Sequence, residues 1–598
     1  MSASSSALCF GMNTSPFCAS PYTSHFFVLG TVMLSSGFAS SHAVSFAGFL
    51  SVSFFADSLP RAMEFARQSI EAIDGQADPK RKAMAYARLA RLASNGDLKA
   101  SLAALDAAAR LLPSGEPSFE LSQILSEQAC TLLMMSRFEE SHSVAERAIE
   151  MCRAVGNRSD VGTNHSRLGV CLVEKGRFDE AVASSQESVA IAEEIDNAES
   201  LRKAYNNLVH VYFQAGRLEE AAAVTLEGLS KGEQLLGVRL QHAALNSIDA
   251  LILLGRWEEA GRLLDEIGDR VGGGACGETH SVMCRATLYL RQGRFAEARA
   301  ALERVDELIA DLSDLQFRGA FYLLRAELAL EESRPADAYR DVELALAQAA
   351  GTDDQATTCE ICALGVRALA DQRDEARQRR LRFDEDKASL LAAELSEKAQ
   401  MLVDLPRQRG TEPLPRADAL ALQCRAEAMR LSGSDAAASW EESVDRWDGL
   451  GGLYNAAYCR LRQAEALLGA RSKPGRAAKV LLESWRTSSE IGAKTLQAKA
   501  EVLAQRARVS LDVETLQARR ISQVAHDLCL TSREVEVLGY LASGKTDGQI
   551  AEGLFISKKT ASVHVSNLLR KLDVESRYAA AEIGRQHDIS ADATPGVA

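Results

Sequence analysis

Residues able to contact nucleic acid are concentrated in one predicted helix near the end of the 598-residue chain, between Lys558 and Leu572. Its apolar positions recur every three or four residues and form one inward stripe: Ala561, Val565, Leu568 and Leu572. The opposite face is small at its centre and basic at its ends: Lys559, Ser562, Val563, Ser566 and Arg570. Short side chains let a helix approach base edges in a major groove, while flanking cations meet phosphates. The pattern therefore predicts a DNA-recognition helix.

A third stripe between these faces is polar, and it completes the predicted DNA-contacting set. The set consists of Lys558, Lys559, Thr560, Ser562, Val563, His564, Ser566, Asn567, Arg570 and Lys571. The whole chain has 68 Lys and Arg against 82 Asp and Glu, a net charge of −14. This balance excludes a protein that coats nucleic acid along its whole length, so the cationic surface is local.

Four short predicted helices hold this surface in place. The predicted helix starts are Thr531 with Glu534, Thr546 with Gln549, Ser557, and Ser576. Ser, Thr and the reciprocal Glu or Gln satisfy backbone N–H groups that have no partner in the first turn of a helix. Gly544 is expected to end the first helix, and the fourth is expected to reach about Gln586.

This segment closely resembles the LuxR-type helix-turn-helix, the DNA-binding domain of many bacterial activators, over about 528–587. The family pattern is met at Leu530, Thr531, Arg533, Glu534, Gly544, Ile550, Ala551, Leu554, Ile556, Ser557, Thr560, His564, Lys571, Leu572 and Arg577. The resemblance implies a domain over 521–590 that binds double-stranded DNA as a homodimer through its fourth helix, with RNA polymerase as a further partner. It places Ser562, Val563 and Ser566 at base edges.

The chain departs from the family pattern in both helices of the motif. Ala561 and Ser562 stand where Val and Lys are frequent, which bears on base preference. Gly548 and Gly553 lie inside the second helix, where each costs about 1 kcal/mol relative to Ala.

Residues Gly539 to Thr546, GYLASGKT, formally match the phosphate-binding loop G-x-x-x-x-G-K-[ST]. That loop needs a preceding strand and an open backbone around the phosphates. Here Tyr540 and Leu541 continue the helical apolar period, so we interpret the segment as a helix end within the helix-turn-helix.

A short motif recurs at intervals near 40 residues in the preceding region. It reads SRFEES, GRFDEA, GRLEEA, GRWEEA, GRFAEA and SRPADA, with its Arg at positions 137, 177, 217, 256, 294 and 334. Weaker copies begin at 57 and 96, and degenerate ones are predicted at 372–376, 433–437 and 474–478. An apolar-periodic stretch precedes each motif and an Ala-rich one follows it, which indicates two helices joined by a tight turn. Gly or Ser suits the left-handed residue at the end of the first helix.

These units resemble the tetratricopeptide repeat, with a longer period like that of the sensor superhelix in the maltose-regulon activator type. The predicted fold is therefore all-α: repeats over 57–515 followed by the helix-turn-helix domain. The resemblance implies a scaffold whose concave face takes a ligand or protein partner. The aromatic residue or Leu that follows the Arg in the first five copies is expected to fill the space between helices: Phe138, Phe178, Leu218, Trp257 and Phe295.

Residues 1–56 differ from the rest, with no Asp, Glu, Lys or Arg, 14 Ser and nine Phe. They have neither the basic start of a secretory signal nor an unbroken membrane-spanning run. We expect a poorly ordered tail or a misplaced start codon. Residues 591–598 are expected to form a second tail.

No residue pattern predicts a catalytic site, a cofactor site or a metal site. Cys359 and Cys362 form the one close cysteine pair among 12 Cys, and without a second pair we interpret them as core thiols. The expected location is the cytoplasm. Two alternatives stay open: an ATP-dependent switch of the large LuxR class, and a repeat adaptor without sequence-specific DNA binding.

Overall fold

The computed structural model describes residues 59–73, 77–94, 97–113, 116–224, 241–267, 274–310, 315–434, 436–469, 474–511, 525, 528, 530–554 and 556–587. These ranges contain helices and turns and no strand, so the all-α prediction is confirmed. The predicted segment 1–56, the tail 591–598 and Phe555 lie outside them. None of the described helices is both long and apolar enough to cross a membrane.

The chain divides into two compact units between residues 456 and 457. Helices of the first unit are α1 (Leu59–Ala72), α2 (Pro79–Ala93), α3 (Leu98–Arg110), α4 (Phe119–Met134), α5 (Phe138–Ala154), α6 (Arg158–Glu174), α7 (Phe178–Glu194), α8 (Ala198–Gln214), α9 (Gln241–Leu253), α10 (Trp257–Ile267), α11 (Gly274–Arg291), α12 (Phe295–Ile309), α13 (Leu315–Glu331), α14 (Pro335–Ala349), α15 (Gln355–Arg379), α16 (Glu385–Gln408), α17 (Pro415–Ser432) and α18 (Ala437–Leu450). Residues 218–224 are also helical. Helix α19 (Leu453–Gly469) spans the division, and the second unit continues with α20 (Pro474–Glu490), α21 (Lys494–Ala507), α22 (Ser532–Ala542), α23 (Asp547–Gly553), α24 (Lys558–Lys571) and α25 (Arg577–Gln586).

The six repeat turns share one backbone form. The residue before each motif Arg has a positive φ: Ser136, Gly176, Gly216, Gly255, Gly293 and Ser333. The first helix ends just before this residue, and the second begins directly after the Arg. The predicted pair of helices with a left-handed turn residue is therefore confirmed.

The motif Arg itself has a local role. In every copy it donates to the carboxylate three residues later: Arg137 to Glu140, Arg177 to Glu180, Arg217 to Glu220, Arg256 to Glu259, Arg294 to Glu297 and Arg334 to Asp337. Because these pairs are exposed to solvent, they contribute little to stability. Of the side chains that follow the Arg, Phe138, Leu218 and Trp257 are buried, while Phe178 and Phe295 are half-buried.

One predicted turn is wrong. Residues 372–376 lie inside α15, which continues to Arg379 and ends where Arg380 takes a positive φ. These five residues include neither Gly nor Pro, so nothing in the local sequence interrupts the helix. The turn predicted at 433–437 is present, with Gly433 at a positive φ.

The first unit curves so that later repeats contact earlier ones. Gln355 Nε2 donates to Glu174 O at 3.1 Å. Gly176 lies so close to the segment after α16 that an added Cβ would be 1.9 Å from Glu412 O. A cavity of about 590 Å³ lies on the inner side. It is lined by the first helices of successive repeats, α4, α6, α8, α9, α11, α13 and α15, by the start of α5, and by α17 to α19.

Cys359 and Cys362 are both fully buried in α15, as predicted for core thiols. Burial raises the pKa of the Cys362 thiol to about 11.

Candidate nucleic-acid interface

Every predicted helix start in the C-terminal domain is present. Thr531 with Glu534 and Thr546 with Gln549 form complete capping boxes, and Ser557 and Ser576 accept hydrogen bonds at the starts of α24 and α25. Helix α24 ends at Lys571, one residue before the predicted end, and Leu572 is its C-cap.

The inward stripe of α24 packs as predicted. Ala561, Val565 and Leu568 are buried, and Leu572 is partly buried against the same core. Their partners come from the two preceding helices and include Val535, Leu538, Leu541 and Ile550. This packing fixes the rotation of α24 about its own axis and so decides which side chains face outward.

Most of the predicted DNA-contacting set is on the outer surface. The exposed members are Lys558, Lys559, Thr560, Val563, Ser566, Arg570 and Lys571, and the half-buried ones are Ser562, His564 and Asn567. Val563 is 52% exposed in the middle of the helix. An exposed apolar side chain between hydroxyl groups and cations can contact a thymine methyl group in the major groove.

Two members of this set form side-chain hydrogen bonds to other helices of the domain. The Ser562 hydroxyl donates to Asp547 Oδ2 at 2.6 Å. Lys571 Nζ donates to Glu534 Oε2 at 2.7 Å. Both side chains therefore tie α24 to a neighbouring helix, in addition to any contact with DNA.

Asp547 connects α23 to both α24 and α25, a role that the sequence does not indicate. Besides Ser562, its carboxylate accepts from Arg577 Nη1 at 3.0 Å, and Arg577 Nη2 donates to Lys545 O at 2.7 Å. The hydrogen bond from Ser562, followed by the charge of Arg577, lowers the pKa of Asp547. An acid in the first turn of a helix is too common to indicate such a junction, since the macrodipole favours it anywhere.

Glu534 has a second role beyond the capping box. Burial acts to raise its pKa, but the hydrogen bonds from Lys571 and Thr531 outweigh burial and lower the pKa. The neighbouring Arg533 donates to Glu536 Oε2 at 2.5 Å and to Leu554 O at 2.7 Å. The start of α22 is thus anchored both to the end of α24 and to the end of α23.

The segment that matches the phosphate-binding pattern is helical, as predicted. Gly539 to Ala542 are the last residues of α22, and Gly544 follows with a positive φ. Lys545 O accepts from Arg577, and Thr546 caps α23. A helix stands where the phosphate-binding loop needs a strand.

Helix α25 packs closely on α22. Ala580, Ala581 and Gly584 face the core, and a Cβ on Gly584 would be 2.9 Å from Ala542 Cβ. On the other side, Tyr578 is 81% exposed. An aromatic side chain with that exposure is unusual on a monomer surface and typical of interfaces.

Comparison with known proteins agrees with this geometry. Residues 528–583 match the family of bacterial regulatory proteins described as the luxR family, and residues 160–228 match the tetratricopeptide repeat. The nitrate/nitrite response regulator protein homolog of Haemophilus influenzae is 57% identical over 51 residues, 8% of this chain and 24% of that protein. The transcriptional regulatory protein LiaR of Bacillus subtilis is 52% identical over 52 residues, 9% of this chain and 25% of that protein.

The chain therefore spans about a quarter of the length of these curated relatives. A solved tetratricopeptide repeat protein from Parabacteroides merdae aligns with 47% of this chain and 98% of its own, with 16% identity and a TM-score of 0.32. The C-terminal domain is a LuxR-type helix-turn-helix, a DNA-binding domain of transcription regulators. A tetratricopeptide repeat region precedes it in the chain.

Proposed function

We propose that the whole chain is a bacterial DNA-binding transcriptional regulator that acts in the cytoplasm. The LuxR-type match at 528–583, together with the outward face of α24, carries this proposal. Helix α24 enters the major groove with Val563 and Ser566 toward base edges. Lys559 and Arg570, at the two ends of the same face, contact phosphates, because charged flanks fix register while central positions read sequence.

The test of this proposal is a selection of duplex DNA from a random pool by the full chain. We expect an enriched operator motif, and we expect affinity to fall steeply with salt because bound phosphates release counterions. Val563→Arg should change the enriched motif. Arg570→Ala should keep the motif, weaken all sequences about equally and lower the salt slope by about one unit.

Lys571→Ala serves as a contrast to Arg570→Ala, because Lys571 is bound to Glu534 in the free domain. Its loss should also destabilise the domain. No enrichment at all would favour the adaptor alternative. An unchanged motif for Val563→Arg would mean that α24 enters the groove in another rotation.

The proposed operator-bound form is a homodimer through α25, on the basis of its exposed Tyr578 and its closely packed inner face. The enriched motif should then be an inverted repeat. Tyr578→Lys should abolish the preference for two half-sites over one while leaving binding to a single half-site intact. Equal half-site cooperativity in both proteins would place the dimer contact elsewhere.

We further propose that the repeat unit senses a ligand or protein partner, which shifts the chain toward the state that recruits RNA polymerase. The cavity supports this. Three buried oxygen atoms of residues that line it have no hydrogen-bond partner among the described residues: Glu174 Oε2, Gln214 Oε1 and Glu327 Oε2. Such atoms are rare in proteins because each costs free energy until a ligand or water satisfies it.

A cavity-filling variant tests the sensing proposal. The full chain is incubated with a metabolite extract, and retained small molecules are identified by mass spectrometry. Leu420→Trp, in the cavity wall, should lose any molecule that the natural chain retains. Leu390→Trp, at a residue that is 62% exposed, is the matched control and should retain it. Retention by both variants would exclude the cavity as the binding place.

A further inference from the structure

Three side chains with metal-ligand chemistry meet in the wall of the repeat cavity. Asp249 belongs to α9, while His280 and Cys284 belong to α11. His280 and Cys284 are four residues apart, so they leave the same face of α11 one turn from each other. A carboxylate oxygen, an imidazole nitrogen and the thiol sulfur all lie within 4.8 Å of one another.

The separations are close to the edges of a zinc tetrahedron. Zinc bonds of about 2.0 to 2.3 Å at tetrahedral angles place N and O about 3.4 Å apart, and S and O about 3.6 Å apart. Here His280 Nε2 is 3.2 Å from Asp249 Oδ2, and Cys284 Sγ is 3.7 Å from Asp249 Oδ1. The two distances run to the two different oxygens of the Asp249 carboxylate, and all three ligand atoms lie within 4.8 Å of one another, so a single ion can be placed between the three side chains.

We propose that Asp249, His280 and Cys284 form a zinc-binding site. A thiolate and an imidazole select zinc over the hard ions Mg²⁺ and Ca²⁺, which prefer oxygen ligands. On binding, Cys284 loses its thiol proton to solvent and a Zn–S bond forms. The two negative ligands then balance the charge of the ion, so the assembled site is neutral and the desolvation cost of placing it in a cavity wall is limited.

Three protein ligands are the composition of an open zinc site, since closed structural sites have four. All three residues line the cavity, so the fourth position is on the cavity side. Water fills it at rest, and a donor atom of a cavity ligand can replace that water. The Phe317 ring lies beside the imidazole of His280, with 6.4 Å between ring centroids.

Metal content of the full chain gives the first test. After chelator treatment and dialysis against zinc, we expect about one Zn²⁺ per chain that survives gel filtration. Cobalt substituted for zinc should give a thiolate-to-cobalt charge-transfer band and the intense visible bands of tetrahedral Co²⁺. A chain that retains no zinc, or a cobalt complex without the charge-transfer band, overturns the proposal, and the three groups are then only hydrogen-bonded to one another.

Three variants locate the site. Cys284→Ser should remove the charge-transfer band, whereas Cys130→Ser, at a half-buried thiol of α4, should keep it. Asp249→Asn preserves side-chain volume and should weaken zinc affinity at least about 100-fold, since loss of even an indirect partner costs 10- to 100-fold. Asp249→Asn still tests the zinc site if circular dichroism shows that Cys284→Ser does not fold. Loss of zinc in Cys130→Ser, or an unchanged affinity in Asp249→Asn, assigns the metal to other residues and refutes the site.

Discussion

Asp547 is expected to stabilise the packing of α24 in the domain, and its replacement by Ala tests this directly. The carboxylate accepts from Ser562 of α24 and from Arg577 of α25 while it occupies the first position of α23. Its side chain is 23% exposed, and that of Arg577 is 37% exposed. Asp547→Ala removes both hydrogen bonds and the negative charge at the helix start.

The expected loss of stability is about 2 kcal/mol. A hydrogen bond to a charged group contributes about 1.5 to 3 kcal/mol when buried, and partial exposure reduces each of these two to about 0.5 to 1 kcal/mol. The charge at the start of α23 adds about 0.3 to 1 kcal/mol. Asp547→Asn keeps an acceptor for Ser562 but loses the charge and the acceptor for Arg577, so we expect about two thirds of the effect.

The effect should depend on pH with a defined sign. Because the pKa of Asp547 is lowered in the folded domain, its contribution is complete above the unfolded pKa of about 3.9 and is lost as pH falls through the lower folded value. The difference between the natural chain and Asp547→Asn should therefore be constant near neutral pH and shrink below about pH 4.

Hydrogen exchange of the amides of α24 and α25 in the full chain measures these differences. A loss of about 2 kcal/mol corresponds to exchange about 30-fold faster when opening of the domain limits exchange. Glu575→Ala is the matched control, because it removes an exposed acid from the same domain and should stay within about 0.5 kcal/mol of the natural chain. Equal exchange rates in Asp547→Ala and Glu575→Ala would refute the reasoning.

Three further predictions concern the backbone. Gly176→Ala should lower the free energy of unfolding more than Gly156→Ala. Both residues have a positive φ, which costs Ala about 1 to 2 kcal/mol, but only at Gly176 would the Cβ overlap Glu412 O. Hydrogen exchange at 405–415 should become faster in Gly176→Ala alone, and equal exchange in both variants would contradict the close approach. Gly548→Ala should stabilise the domain by up to about 1 kcal/mol, because Ala favours a helix and an added Cβ has room at this position. Hydrogen exchange in α23 should then be slower. Faster exchange would mean that the added Cβ overlaps a neighbouring atom. Ser333→Gly should raise the urea concentration at the midpoint of unfolding, because a positive φ costs about 1 kcal/mol in Ser and is free of that strain in Gly. A lower midpoint would mean that the Ser333 hydroxyl has a structural partner.

Local features of this protein could be predicted from its sequence. The capping boxes at Thr531 and Thr546, the inward stripe of α24 and the left-handed residue of each repeat turn depend on contacts three to five residues apart. Such contacts can be predicted directly from the spacing of residues along the chain. The wrong prediction of a turn at 372–376 also has a local reason. These residues include no Gly or Pro, so the helix continues through them.

Contacts between distant positions were decided only by the tertiary structure. Ser562 and Lys571 were predicted as DNA contacts from their place on α24, but the packing of α24 on α22 and α23 also brings them to Asp547, 15 residues away, and Glu534, 37 residues away. The cavity, and the meeting of Asp249 with the face of α11 that carries His280, depend in the same way on how one repeat stacks on the next. The periodicity of a sequence determines which face of each helix is buried. The partner of a polar side chain at the edge of that face depends on how two helices are rotated and at what angle they cross. Side-chain packing sets both, so only the tertiary structure decides the partner.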